Sequence, residues 1–91
     1  MSRQLTVALE AVEGAITRFY AFIDAKRIIA ADGTENPEWT GSVSDQITLK
    51  IRVTGIDSAK YKLTIDLPEN LHDQTLTFQL QDGYHEVEIT I

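Results

Sequence analysis

Apolar and polar residues alternate through the second half of the chain, from residue 47 to residue 91. The pattern recurs in four segments, whose apolar members are Ile47, Leu49, Ile51 and Val53; Tyr61, Leu63, Ile65 and Leu67; Leu76, Phe78 and Leu80; and Val87, Ile89 and Ile91. A period of two places successive side chains on opposite faces of a strand. The pattern therefore predicts a four-stranded antiparallel sheet with one apolar and one polar face, in simple meander order.

Residues 5 to 23 follow a different period. Their apolar residues recur three or four positions apart: Leu5, Leu9, Val12, Ile16, Phe19 and Ile23. Seven of the eight alanines also lie before residue 32, and alanine is the best helix former. The expected fold class is therefore α+β, with an N-terminal amphipathic helix packed on the apolar face of the four-stranded antiparallel sheet.

Gly14 supports an alternative, because a glycine inside a helix costs about 1 kcal/mol relative to alanine. Residues 12 to 15 could instead form a tight turn between two strands. In that case the fold is an all-β sandwich, with residues 3 to 31 as a second sheet that faces the first.

Length and composition limit the function classes. Ninety-one residues predict a single small globular domain, residues 1 to 91. The net charge of −6 argues against binding to nucleic acid or to an anionic membrane. The chain has no cysteine and no apolar run of signal-peptide or transmembrane length. A cytoplasmic location is expected.

Four of the eight basic residues lie on the polar face of the first two predicted strands. In a meander, Lys50 and Arg52 would lie opposite Lys60 and Lys62, and like charges in such positions are destabilising. One interpretation is that Asp66, Glu86 and Glu88 neutralise them. The other is that the patch binds a small anion, a sugar or an acidic partner.

Two further residues are placed by local pattern. Trp39 stands in a segment that otherwise resembles a polar loop, where it either packs back on the core or anchors a partner or a sugar ring. Asp82-Gly83 predicts a type I′ hairpin turn. In that register Leu80 opposes His85 and Phe78 opposes Val87, so His85 faces inward.

Motifs for catalysis are absent from the sequence. It contains no cysteine nucleophile, glycine-rich phosphate loop or His-Glu-x-x-His motif. The acidic segment of residues 32 to 36 lacks the distal glutamate of an EF-hand loop. The chain is therefore expected to be no enzyme and to carry no metal or cofactor.

Two functions remain as hypotheses. The first is a non-enzymatic interaction or assembly subunit, which binds itself or another protein through uncovered apolar sheet surface or an edge strand. The second is a small ligand-binding module for carbohydrate or an anion. It would use the polar face around Lys50, Arg52, Lys60 and Lys62, or Trp39.

Overall fold

A computed structural model describes residues 3 to 44, 46 to 66 and 74 to 90, which form eight β-strands and no helix. The strands are β1 (Arg3–Glu13), β2 (Ile16–Ile23), β3 (Lys26–Asp32), β4 (Glu38–Val43), β5 (Thr48–Gly55), β6 (Lys60–Asp66), β7 (Gln74–Gln79) and β8 (Tyr84–Thr90). In these ranges there is accordingly no helix of the length and apolarity that crossing a membrane requires.

The strands form two four-stranded antiparallel sheets. Sheet I has the order β4-β1-β6-β7, and sheet II has the order β3-β2-β5-β8. The inward side chains of both sheets form one apolar core, and the central strands β1, β2, β5 and β6 supply most of it. The largest completely buried side chains include Tyr61, Phe19, Leu5 and Leu9. The protein is therefore a β-sandwich.

The predicted N-terminal helix is wrong. Residues 5 to 23 form β1 and β2, which belong to different sheets. They are separated by Gly14, whose φ of +75° suits glycine. Along β1 the buried residues are Leu5, Val7 and Leu9, at every second position. This period fits a strand: β1 pairs with β6 in sheet I, and sheet II covers the apolar face that was assigned to the helix.

The alternative all-β sandwich fits the structure, as does its turn at residues 12 to 15. Its division of the chain differs from the observed one. Residues 3 to 31 do not form one second sheet: β1 joins sheet I, whereas β2 and β3 join sheet II. The two sheets are therefore interleaved in sequence.

The four C-terminal strands occur where the alternation places them, but the meander order is wrong. Strand β5 pairs with β2 and β8, and β6 pairs with β1 and β7. Strands β5 and β6 thus face each other across the core instead of pairing side by side. Both arrangements bury the same alternate residues, so alternation alone does not distinguish them. Leu67 and Ile91, the ends of two predicted strands, lie outside the described residues.

The Asp82-Gly83 turn is confirmed only at its tip. Both residues have positive φ, at 55° and 78°, and Gln81 and Tyr84 exchange two backbone hydrogen bonds. Beyond this bridge β7 and β8 separate into the two sheets, with Leu80 fully buried between them. The predicted pairs Leu80–His85 and Phe78–Val87 are therefore wrong, because β7 pairs with β6 and β8 pairs with β5.

Trp39 lies in strand β4 and not in a polar loop. It pairs with Val7 of β1 and packs, half-buried, against the core. A Cβ atom on Gly41 would lie only 2.5 Å from the Trp39 ring. The glycine therefore provides the space in which the indole lies flat along β4.

Candidate functional site

The four lysine and arginine residues of the predicted basic patch do not lie together. Lys50 and Arg52 are on β5 in sheet II, whereas Lys60 and Lys62 are on β6 in sheet I. Since the inward positions of both strands are buried, these residues point to opposite outer faces of the sandwich. The prediction that they oppose each other is wrong, because it depended on the meander order.

Three of these four residues have a carboxylate neighbour. Arg52 Nε donates to Glu86 at 3.0 Å, Lys62 Nζ lies 3.1 Å from Glu10, and Lys60 Nζ lies 3.4 Å from Glu13. Glu10 and Glu13 come from β1, a segment for which the apolar spacing predicts a helix. These pairs are at least one-third exposed, so solvent screens them and each contributes little to stability. They are typical of solvated sheet faces.

Arg52 belongs to a polar cluster on the outer face of sheet II. Glu86 accepts hydrogen bonds from Tyr84 Oη at 2.8 Å and from Arg52. Both bonds favour the ionised carboxylate and hold the pKa of Glu86 below its ordinary value. The guanidinium also lies over the Phe22 ring, 5.5 Å from its centroid. This contact covers an aromatic ring that faces outward.

A concavity of about 440 Å³ lies beside this cluster, and it is lined by Phe22, Asp24, Ala25, Thr48, Lys50, Arg52 and Glu88. Lys50 lies opposite Glu88 in the β5–β8 register. The lining thus carries two cations and two carboxylates. Such a balance suits a polar uncharged ligand better than an anion.

A second concavity, of about 550 Å³, opens at the side of the sandwich where β3 and β4 lie. Its apolar lining consists of Ile23, Ile28, Trp39, Val43 and Ile47, and its polar lining includes Lys26, Arg27, Asp24, Ser42 and Ser44. We call it the β3/β4 cleft. It contains Trp39, which both packs on the core and lines a surface opening.

His85 lies at the opposite side of the sandwich, where β7 and β8 form the edges. Its Nδ1 is 2.7 Å from the hydroxyl oxygen of the fully buried Tyr61, and its ring stacks on Phe78 at 4.9 Å. The inward position predicted for His85 is therefore confirmed. Partial burial lowers the pKa of His85 below 6.5 and raises that of Tyr61, because desolvation disfavours both charged forms.

Acidification should weaken the fold through His85. Since the folded protein binds this proton more weakly than the unfolded chain, the contribution of His85 is complete above pH 6.5 and decreases as the pH falls below it. Urea unfolding at about pH 7.5 and about pH 5.5 measures the loss. His85→Gln should lose less free energy of unfolding than the wild type between these conditions. Parallel losses in both proteins would contradict this role.

Comparison with protein-family models, curated proteins and solved structures finds no match.

The side of the sandwich at β7 and β8 is less closed than its centre. In the described residues β7 pairs only with β6, and β8 only with β5. The inward side chains of these strands, Leu76, Phe78, His85, Val87 and Ile89, are only partly buried. Each strand therefore presents one free backbone edge beside incompletely covered apolar groups.

Three candidate residues were not identified from sequence. Lys26 and Arg27 follow the residues predicted to be helical, and they line the β3/β4 cleft. Thr77 belongs to a run from residue 74 to residue 81 that contains no charged residue, glycine or proline. The uncharged run can be seen in the sequence, but it indicates a candidate interaction site only because β7 is an edge strand.

Proposed function

We propose that this chain is a non-enzymatic assembly subunit that self-associates through edge strand β7. One observation supports the proposal most directly: among the four edge strands, only β7 contains no charged residue between its described bounds. Proteins normally protect free strand edges with charges, prolines or bulges, because an unprotected edge pairs with another strand. Between its described bounds β7 contains no charged residue and no proline. It pairs with β6 without a register shift, so it has no bulge there either.

The composition of β7 also favours strand pairing. Its sequence is Gln-Thr-Leu-Thr-Phe-Gln, in which threonine and phenylalanine have high strand propensity. The other edges are less suitable. Strand β3 has Lys26, Arg27 and Asp32, β8 has Glu86 and Glu88, and β4 has Glu38 and Gly41.

A second copy of the chain is the partner that the charges favour. Each copy carries a net charge of −6, so an interface between copies must avoid further like-charge contacts. Antiparallel pairing through β8 would bring the glutamates of the two copies close together, whereas pairing through β7 brings none. Two-fold symmetry is also the commonest symmetry of homo-oligomers, and antiparallel pairing of β7 with its copy satisfies it.

Side-chain direction limits the register of such a contact. Directly opposed residues of an antiparallel pair point to the same face of the sheet. The two-fold axis must therefore lie at a position where one residue opposes the same residue of the second copy, and not midway between two successive residues. An axis at Thr77 places Leu76 opposite Phe78 of the second copy and Thr75 opposite Gln79. The partly buried apolar residues then meet each other, and sheet I of both copies becomes one eight-stranded sheet.

Thr77→Lys should weaken this dimer strongly. Thr77 is exposed on the outer face of β7, so the substitution should leave the monomer folded. In the dimer it places two ammonium groups opposite each other, at a cost of about 1.4 kcal/mol or more, which raises Kd about tenfold or more. Sedimentation equilibrium over a concentration series measures the change, since the mass should rise from 10.2 kDa towards twice that value.

Thr90→Lys is the matched control. Thr90 is likewise an exposed threonine on an edge strand, and the substitution adds the same charge on β8. Its Kd should stay close to that of the wild type. A wild-type mass that remains at 10.2 kDa at the highest attainable concentrations would exclude self-association, and equal effects of both lysines would exclude β7 as the interface.

Uncovered apolar surface on the face of the sheet does not support the proposal, because sheet II covers the face that one helix would have been too narrow to cover. The proposal depends on the free edge of β7 and on the partly buried Leu76 and Phe78 in this strand. In this proposal the protein binds without catalysing a reaction, and it acts in the cytoplasm, the location expected from the sequence.

The ligand-binding alternative is favoured by the concavity beside Lys50 and Arg52. Its balanced charges and the Phe22 ring suit a sugar or another neutral polar molecule. Amide chemical shifts of Phe22, Lys50 and Glu88 should move on titration with such a ligand. If they remain unchanged across a panel of sugars and phosphates, this alternative fails.

A further inference from the structure

The β3/β4 cleft combines an apolar floor with a basic rim. Ile28, Trp39 and Val43 contribute to the floor, and the exposed Lys26 and Arg27 stand at the rim. Small-molecule sites typically have this character, with apolar walls, a few placed polar groups and a volume of about 300–1,000 Å³. The cleft, at about 550 Å³, lies within that range.

A β-bulge in β3 lies directly beside the two cations. Ala21 pairs with Ile29, but the next residue, Phe22, pairs with Arg27, so Ile28 is the extra residue in β3. Bulges redirect the side chains beside them. The extra residue Ile28 is next to Arg27, and Lys26, Arg27 and Ile28 all line the cleft.

Lys26 and Arg27 also lack counter-charges in the described part of the chain. Arg18, Arg52, Lys60 and Lys62 each have a carboxylate within 4 Å, at 2.9 to 3.4 Å. No such pair is formed by Lys26, Arg27 or Lys50 within the described residues. Among the basic side chains that the structure describes, Lys26 and Arg27 therefore stand together at one cleft without an ion pair.

Asp24, the one carboxylate in the cleft lining, is already engaged. Its Oδ1 accepts a hydrogen bond from the Thr48 amide at 3.0 Å, and its own amide donates to the Thr48 carbonyl at 3.0 Å. These bonds connect the β2–β3 turn to β5. Asp24 forms no ion pair with Lys26 or Arg27 in the described residues.

We propose that the β3/β4 cleft binds a small amphiphile with a single carboxylate and an apolar chain. Its chain would lie against Ile28, Trp39 and Val43, and its carboxylate would accept hydrogen bonds from Arg27 and Lys26. A polyanion is disfavoured, because two rim cations would have to offset a net chain charge of −6. A neutral apolar ligand would leave the two cations without partners.

This inference does not depend on self-association through β7. The cleft lies at the β3/β4 side of the sandwich, whereas β7 and β8 form the other side. A dimer without ligand binding, or ligand binding by a monomer, is therefore a distinguishable result.

Trp39 provides the measurement, because it is the only tryptophan in the chain and lines the cleft. Titration with decanoate below its micelle concentration should change the tryptophan fluorescence saturably. Decanol, which has the same chain without the charge, should bind at least about tenfold more weakly. Added sodium chloride should weaken decanoate binding and leave decanol binding unchanged.

Arg27→Gln and Lys26→Gln should each raise the Kd for decanoate at least about fivefold, because charged hydrogen bonds contribute most of the head-group affinity. Lys60→Gln, a lysine on the outer face of sheet I, should leave it unchanged. Equal affinities for decanoate and decanol, no saturable fluorescence change in the wild type, or equal effects of Arg27→Gln and Lys60→Gln would overturn the proposal.

Discussion

Gly33→Ala is expected to destabilise the fold by at least about 3 kcal/mol. Gly33 is buried after β3, where its amide donates to the Thr17 carbonyl at 3.0 Å. A Cβ atom there would lie 1.8 Å from the Ile16 carbonyl oxygen. Because the obstructing atom belongs to the backbone, no side-chain rotation relieves the overlap, and the β2–β3 contact must open.

Thermal unfolding measures this loss. For a domain of this size, 3 kcal/mol corresponds to a decrease in Tm of about 12–24 °C. Gly41→Ala is the matched control, because its Cβ would meet the ring of Trp39, a side chain that can move. Its Tm should fall by less, with a change in tryptophan fluorescence. Equal Tm values for Gly33→Ala and the wild type would contradict the close approach of β2 and the end of β3.

Tyr61→Ala should cost about 3–5 kcal/mol, as for other large aromatic residues in a core. Tyr61 has no exposed surface, and its ring contacts residues of both sheets: Phe19 at 6.2 Å and His85 at 5.7 Å in sheet II, and Phe78 at 5.5 Å in sheet I. Truncation removes the contacts of Tyr61 with Phe19 and His85, which help to join the sheets at the β7/β8 side. Since small domains are stable by only about 5–15 kcal/mol, the variant should be close to unfolding.

Tyr61→Phe separates the two contributions of this residue. It keeps the ring but removes the hydroxyl that bonds His85, so it should cost about 1–2 kcal/mol. Chemical denaturation of the two variants gives both values. A loss below 1 kcal/mol for Tyr61→Ala would show that Tyr61 is not at the centre of the core.

The C-terminal strands were predictable because every inward position of β5 and β6 is apolar. The N-terminal strands were not, for two local reasons. Tyr20 and Phe22 point outward on β2, where Arg18 and Arg52 lie over their rings. A register shift between Ile16 and Arg18 also changes which residues face inward. Together these features remove the polar face that would have identified β2 as a strand.

Strand order could not be predicted from the pattern for a different physical reason. A tight turn such as Asp82-Gly83 has the same residues whether its two strands pair along their length or separate into two sheets. Long-range packing decides, since β7 pairs with β6 and β8 with β5. The candidate sites depend on this order: it separates Lys50 from Lys60 and makes β7 an edge.

A single engineered cysteine gives the most direct test of assembly through β7. The natural chain contains no cysteine, so Thr77→Cys can be cross-linked only to another copy at that position. With a short bismaleimide, Thr77→Cys should give a covalent dimer of twice 10.2 kDa much faster than Thr90→Cys, the control on β8. Equal, slow cross-linking of both variants would indicate random collision and would contradict self-association through β7.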